Sequence, residues 1–132
     1  MTLQIGTTAR TAACDAIVDL LDVGGTATVQ IRNTAASTPA DAGAGTLLAT
    51  VTASATAFGA ASSGVATAND FTPDSSADAT GNAVQWRFLS GGGTVIMQGT
   101  CGTSGADMNF NTVSIVATGT VDITSFTVTV PE

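Results

Sequence analysis

The chain has 132 residues, 10 acidic and 3 basic side chains, a formal net charge of −7, and 44% hydrophobic but only 5% aromatic residues. This length suits one domain with a single core that needs no metal or disulfide staples. The sequence contains no Lys, His or Tyr, which excludes an imidazole base, a Ser-His-Asp relay, a Schiff-base lysine and a P-loop cation. We therefore expect one domain over residues 1–132 that is not an enzyme and needs no cofactor.

The charge balance also restricts the partners. Arg10, Arg32 and Arg87 are the three cationic side chains, too few to supply the phosphate contacts that dominate nucleic-acid affinity. The first ten residues lack the basic and apolar regions of a signal peptide, and no apolar run approaches the roughly 18 to 20 residues of a membrane span. We expect no nucleic-acid or membrane partner, synthesis in a cytosol, and reduced Cys14 and Cys101.

One amphipathic helix is predicted over about residues 8–22, ending before Gly24-Gly25. At 100° per residue its apolar arc holds Ala13, Ala16, Ile17, Leu20 and Leu21, with Asp15, Asp19 and Asp22 opposite. Cys14 falls at the margin of the apolar arc. Arg10 lies on that arc, where its head group is placed either to reach a carboxylate of a partner chain or to serve a solvated or intrachain role.

The remainder of the sequence predicts strands, because Thr and Val recur with a period of two and turn residues cluster between the runs. The predicted strands cover residues 26–32, 46–52, 65–69, 83–89, 94–101, 113–117 and 120–130, with a possible eighth at 56–58. The loops between them include residues 35–45, 73–82, 91–93 and 102–107. This pattern predicts an all-β fold: a jelly-roll-like β-sandwich of seven or eight strands, with the helix covering one end or edge.

Two strands carry further predictions. In residues 83–89, Val84, Trp86 and Phe88 alternate with Gln85 and Arg87, so we expect the first three to face the core. In residues 120–130 the apolar positions change from odd to even numbers. A β-bulge near Thr124-Ser125 would return both sets to the core.

The motif most suggestive of a metal site is Asp107-Met108-Asn109-Phe110-Asn111, which resembles the start of an EF-hand loop. It fails further on, because Thr112 and Thr118 occupy the positions that need Gly and a bidentate Glu. Strand alternation instead predicts that Asp107, Asn109 and Asn111 are exposed while Met108 and Phe110 point inward. We expect no metal site.

The remaining motifs favour structural interpretations. The Gly43-Ala44-Gly45 and Gly91-Gly92-Gly93 runs lack the strand and helix context of nucleotide loops, and Gly102-Thr103-Ser104-Gly105 lacks a nucleophile elbow. Asp70 with Asp74 is the acid–base pair that remains, alongside Asp78, but a solvated acidic loop is the favoured interpretation. Trp86 is interpreted as a core residue rather than a platform for a sugar. No catalytic, cofactor or metal residue is assigned.

Four segments carry a resemblance to a known class of proteins: residues 45–50 (GTLLAT), 57–69 (AFGAASSGVATAN), 98–109 (QGTCGTSGADMN) and 123–131 (ITSFTVTVP). Through them the chain resembles small virion proteins of tailed bacteriophages, and its size and β-rich character are similar to those of capsid decoration or cement proteins. The resemblance implies a protein on the capsid surface, made in the cytoplasm of the host bacterium, with the major capsid protein as its partner. The alternative is a tail-associated β-sandwich that binds a host surface glycan.

The edges of the predicted sheets suggest how such a protein would associate. Soluble proteins often protect edge strands with Lys or Pro, yet this chain has no Lys and only Pro39, Pro73 and Pro131. We therefore expect the edges either to be covered by the helix or to contact neighbouring subunits, with a dimer or trimer as the simplest assembly.

Overall fold

A computed structural model describes residues 2–132. The protein is mostly β, with one short N-terminal helix. The predicted helix is confirmed: α1 spans Thr7–Asp19 and continues as one 3-10 turn over Leu20–Asp22. Gly24 follows with a positive φ of 85°, a backbone conformation that glycine adopts without strain.

The predicted orientation of α1 is wrong except at Leu21. The buried side chains are Cys14, Val18 and Leu21, whereas the predicted arc residues Ile17 and Leu20 are exposed. The physical reason is that two helix carboxylates accept hydrogen bonds from backbone amides of the neighbouring loop: Asp15 Oδ1 accepts from Ala61 N at 2.7 Å and Asp22 Oδ1 accepts from Ala57 N at 2.9 Å. A buried amide without a partner costs about 1–3 kcal/mol, which is comparable with the gain from burying one large apolar side chain, so these contacts help to set the orientation of the helix.

Nine strands follow within residues 2–132, most of them inside the predicted ranges: β1 Thr28–Arg32, β2 Leu47–Thr52, β3 Val65–Thr67, β4 Gly81–Asn82, β5 Gln85–Leu89, β6 Val95–Gly102, β7 Met108–Asn109, β8 Ser114–Ile115 and β9 Thr127–Thr129. A curled mixed sheet has the order β2-β1-β5-β6-β7, with β7 parallel to β6 and the other neighbours antiparallel. Two smaller sheets pair β3 with β9 and β4 with β8. The predicted eighth strand at 56–58 is reduced to an isolated bridge between Phe58 and Ala68.

The core lies against one face of the five-stranded sheet. Phe88 is its largest fully buried side chain and contacts the rings of Phe58, Phe71 and Phe126 at centroid distances of 5.9, 6.1 and 5.6 Å. Trp86 meets Phe126 edge-on at 5.0 Å. The prediction that Trp86 and Phe88 face the core is therefore confirmed, whereas Val84 is 40% exposed because it precedes β5, beyond the covered part of this face.

The opposite face of the sheet is also covered, which the sequence analysis did not predict. Gln85 and Arg87 are both buried, because residues 33–46 fold back over them. The Gln85 amide exchanges two hydrogen bonds of 3.0 Å with the backbone of Ala36. Arg87 Nη2 donates to the carbonyl oxygens of Pro39 at 3.0 Å and Asp41 at 2.6 Å.

The free edge of β2 is covered, by residues 72–79 rather than by the helix. Thr52 exchanges backbone hydrogen bonds with Thr72, and Asp78 N donates to Leu48 O at 2.7 Å. Asp74 Oδ2 accepts from Thr50 N, which lies between these two contacts. This polar segment thus satisfies the edge by which β2 would otherwise pair with another chain.

The segment predicted as one bulged strand over residues 120–130 is two separate pairings. Val121 forms an isolated bridge with Asp74, and β9 begins only at Thr127, where it pairs with β3. Val121 and Ile123 are buried, and Phe126, Val128 and Val130 pack against the core. The change from odd to even positions is real, but a change of partner at residues 122–126 produces it rather than a bulge within one ladder.

Candidate functional site

An open cleft of about 650 Å³ lies between β6 and the segment that leads into β9. Trp86, Met97 and Phe126 contribute apolar side chains to its lining. Its polar residues include Asp107, Asn109 and Asp122, together with hydroxyl side chains of residues 124–129. The cleft thus combines apolar walls with an acidic, hydroxyl-rich rim, an arrangement suited to an extended uncharged or cationic ligand.

The EF-hand-like residues lie at this rim and are already engaged by the protein. Asp107 Oδ2 accepts from Thr100 N at 2.9 Å and from the Thr100 hydroxyl at 3.1 Å. Asn109 exchanges hydrogen bonds of 3.1 and 3.0 Å with the backbone of Ala106. The predicted alternation is confirmed, with Met108 buried, Phe110 half-buried, and Asp107, Asn109 and Asn111 exposed. Within residues 2–132 no group of three or more His, Cys, Asp or Glu side chains is arranged to hold a metal ion.

Trp86 lines the cleft without offering its ring face to it. The side chain is 5% exposed. It lies over Gly99 on β6, where an added Cβ atom would come within 2.7 Å of the indole ring. Its Nε1 atom is buried and has no hydrogen-bond partner in the described chain. Trp86 therefore forms part of the cleft wall and offers no exposed surface for stacking.

The acidic residues of the 70–78 region lie in different surroundings. The Asp74 carboxylate accepts hydrogen bonds from Thr50 N at 2.9 Å and Ser76 N at 3.0 Å. Asp70 is exposed, and Asp78 uses its backbone to contact β2. Asp74 thus stabilises the edge of the sheet, a role that only its long-range partner Thr50 reveals.

Both cysteines are free thiols. Cys14 is at the centre of the buried face of α1 rather than at its margin, with Sγ 3.4 Å from Val128 O, and burial raises its pKa. Burial, and to a smaller extent the charge of Asp107, raises the pKa of the half-buried Cys101 to about 12. The thiolate is the reactive form of cysteine, so neither residue is activated as a nucleophile.

The arginines serve the fold of their own chain. Arg10 Nη2 lies 3.5 Å from a carboxylate oxygen of Glu132, which favours the intrachain role among those considered. Arg32 packs under Gly43 and approaches the carbonyl oxygens of Ala44 and Gly45. These contacts hold the covering segment 33–46 on the sheet.

The turn interpretation of the glycine runs agrees with their geometry. The chain approaches itself so closely at Gly91 that an added Cβ atom would lie 2.2 Å from the backbone of Gly25. Gly93 closes the same turn with a φ of 89°. A side chain at Gly91 would separate the β5–β6 turn from the end of α1.

A second surface feature is the outward side of α1. Its exposed positions include Ala12, Ala13, Ala16 and Ile17, and the apolar surface continues over Leu20 (50% exposed) and Val23 (59% exposed). Asp19 is the charged residue at its border. We call these residues, 12–13, 16–17, 20 and 23, the outer helix face.

The helix is too short to cross a membrane, and no other helix within residues 2–132 could do so. Comparisons with protein-family models, curated proteins and solved structures find no match to the chain.

Proposed function

We propose that the protein is a structural component of a bacteriophage virion: a capsid decoration or cement protein that binds the outside of the head and stabilises contacts between major capsid subunits. The observation that carries the proposal is the outer helix face. The resemblance of four segments to small virion proteins is the reason for proposing the major capsid protein as the partner.

The outer helix face is suited to contact with a second protein. Helices at a protein surface usually turn charged residues to water, whereas this face is Ala, Ile, Leu and Val over three turns. Ala loses no side-chain entropy when it is fixed at an interface, and its small size allows close approach. Leu20 and Val23 add large apolar side chains at one end, where an interface would gain most from their burial.

The net charge fits the outside of a capsid. A chain of charge −7 is repelled by packaged DNA and by anionic lipid, so binding to the genome or to a membrane is disfavoured. In this proposal the protein is made in the host cytoplasm and joins the virion through protein contacts alone.

The fold that we propose for this role is a jelly-roll-like β-sandwich. The five-stranded sheet supplies one layer, and the β3–β9 and β4–β8 pairs supply the elements that face it. The contacts of Phe58 and Phe126 with Phe88 join the two sides of the core. A domain of this kind is compact and presents few flexible side chains to proteases on a particle surface.

Binding of purified protein to empty capsids, followed by co-sedimentation, tests the proposal. The Leu20→Asp substitution places a charge in the outer helix face, and we expect it to weaken binding at least about tenfold, or about 1.4 kcal/mol. Thr8→Asp is the matched control, because Thr8 is an exposed residue of the same helix outside this face. Equal binding of both variants would overturn the assignment of the face.

Mass spectrometry of separated heads and tails tests the location of the protein on the particle. Recovery of the protein in tails rather than heads would overturn the capsid role.

We propose, further, that the protein has no catalytic activity. The Asp70–Asp74 pair was the remaining acid–base candidate, and Asp74 is occupied by two backbone amides. We expect no signal in a screen for carbohydrate hydrolysis. An activity that is lost in Asp70→Asn would contradict this.

The cleft favours one second candidate function, a tail-associated module that binds a host glycan. The observation in its favour is the hydroxyl-rich and acidic rim, with Asp122 exposed at it. The buried ring of Trp86 weighs against it, since sugars usually stack on an exposed aromatic face. A glycan array probed with the protein and with Asp122→Ala distinguishes the two candidates.

A further inference from the structure

One side of β6 carries backbone groups that no strand of the described chain pairs with. Cys101 N donates to Val84 O at 2.8 Å, so Cys101, Gly99 and Met97 direct their backbone groups toward β5. The alternate residues direct theirs the other way, as Thr100 N does by donating to Asp107 at 2.9 Å. Because β7 pairs with β6 only at Cys101 and Gly102, Gln98 directs its N–H and C=O groups to the open side; Ile96 is the extra residue at the register shift between β5 and β6.

A second unpaired edge borders the same cleft. Ala68 N donates to Phe126 O at 2.8 Å and Val130 N donates to Gly64 O at 2.9 Å, so the even-numbered residues of this segment face β3. Thr127 and Thr129 direct their backbone groups away from β3, and both residues line the cleft. The outer edge of β2 is different, since residues 72–79 bond to it at Leu48, Thr50 and Thr52.

The molecule also has a largely exposed segment before α1. Residues 2–6 precede α1, and Leu3 is 86% exposed. An added Cβ atom at Gly6 would meet no atom within 4 Å. In an extended backbone Leu3 and Ile5 lie on one side, and Thr2 and Gln4 lie on the other. We call residues 2–6 the arm.

We propose that the cleft accepts the arm of a second copy of this chain as an added β-strand along β6. Main-chain hydrogen bonds to Gln98 on one side and to Thr127 and Thr129 on the other would supply the pairing, and Leu3 and Ile5 would enter the apolar part of the cleft beside Met97 and Phe126. The arm carries no acidic side chain, so the acidic rim at Asp107 and Asp122 does not repel it. The arm of the same chain leaves Leu3 exposed and contributes no residue to the cleft, which favours the second copy as donor.

Disulfide trapping between two variants locates the arm. One protein carries Leu3→Cys and the other Thr127→Cys, both with Cys101→Ser, and the two are mixed under mild oxidation. We expect a heterodimer at least about tenfold more abundant than with the control acceptor Ala42→Cys, because effective concentration at a specific contact exceeds that of random collision. Ala42 is exposed on the segment 33–46, which covers the opposite face of the sheet. Equal trapping at Ala42 and Thr127 would overturn the proposal.

Two outcomes separate the second copy from other occupants. If a chain with both Leu3→Cys and Thr127→Cys closes an internal disulfide as a monomer, the arm occupies the cleft of its own chain and the second-copy assignment is wrong.

Sedimentation equilibrium gives an independent measurement of self-association. The Leu3→Asp/Ile5→Asp variant should weaken self-association at least about tenfold, whereas Gln4→Asp should change it less than about threefold. Leu3 is 86% exposed and Ile5 is 43% exposed, so the thermal unfolding of each variant is compared with that of the wild type, and Leu3→Asp alone carries the test if the double variant is destabilised. A wild-type protein that stays monomeric at about 1 mM would overturn the proposal, and none of these measurements depends on the capsid role.

Discussion

Aspartate residues act here mainly as partners of backbone amides. Five of the nine aspartates accept a hydrogen bond from a main-chain N–H group: Asp15, Asp22, Asp41, Asp74 and Asp107. Four of these join segments that the sequence separates by seven residues or more. Carboxylates bind amide donors more strongly than neutral acceptors do, so part of the acidic composition stabilises loops rather than merely solvating the surface.

Asp74 provides the clearest test of this role. Replacing Asp74 by Ala leaves the N–H groups of Thr50 and Ser76 without their acceptor. We expect a loss of about 1–3 kcal/mol in the free energy of unfolding, measured by urea denaturation. The matched control is Asp70→Ala, which removes an exposed aspartate of the same loop and should change stability by less than about 0.5 kcal/mol. Equal effects would show that the contact between Asp74 and β2 contributes nothing.

The thiol of Cys101 predicts a loss of stability in alkali. Its pKa is raised from 9.0 to about 12, so the folded state holds the proton more tightly than the unfolded chain does. The contribution of the Cys101 thiol to the free energy of unfolding is therefore fully present below about pH 9 and is lost as the pH rises toward 12. Because the sequence has no Lys or Tyr, few other side chains titrate in this window. Urea midpoints between pH 8 and 11 should fall less steeply for Cys101→Ser than for the wild type; identical slopes would contradict the prediction.

At the scale of elements, periodicity located the helix and most strands but not the faces that they bury. The helix pattern placed Ile17 and Leu20 inward because these residues are strongly hydrophobic. In the structure, Asp15 and Asp22 instead lie next to the loop that contains Ala57 and Ala61 and accept hydrogen bonds from its backbone amides. The pattern of β5 placed Gln85 and Arg87 in solvent, yet residues 33–46 cover them. Both errors have one cause: a distant loop brings polar backbone groups that local periodicity does not contain.

The covering segment 33–46 should depend on Gln85. Removing the amide by Gln85→Ala leaves Ala36 N without its acceptor and leaves Ala36 O with only the 3.3 Å hydrogen bond from Gln98 Nε2, so we expect faster amide hydrogen exchange in residues 35–45 and little change in β2. Local opening is governed by such contacts rather than by global stability. Val84→Ala is the control, since its side chain is half exposed beside the same strand. Unchanged exchange in Gln85→Ala would contradict the prediction and would mean that the contacts of Arg32, Arg87 and Gln98 suffice to hold the segment.

At the scale of the molecule, periodicity predicted the β-rich class and the N-terminal helix, and strand alternation predicted Trp86 and Phe88 in the core. The cleft was not predictable, because it depends on how β6 and residues 122–129 lie in space, and these segments are separated by about twenty residues. In the sequence, Asp107 at the rim of the cleft stands out only as part of the incomplete EF-hand-like segment. The sequence also did not predict that the edge of β2 is covered and that of β6 is open, because both strands have the same kind of alternating sequence pattern.

The charge of the whole molecule predicts how shell binding depends on salt. Copies bound side by side on a capsid would each carry a charge of −7 and would repel one another across distances comparable with the Debye length, about 30 Å at 0.01 M salt and about 8 Å at 0.15 M. A contact through the outer helix face is apolar, so salt does not weaken it, whereas salt does screen the repulsion between copies. Occupancy of empty capsids at a fixed, subsaturating protein concentration should therefore rise between these two salt concentrations. Leu20→Asp should bind less at both. A fall in wild-type occupancy with added salt would identify a contact made by opposite charges and would contradict the apolar contact proposed for α1.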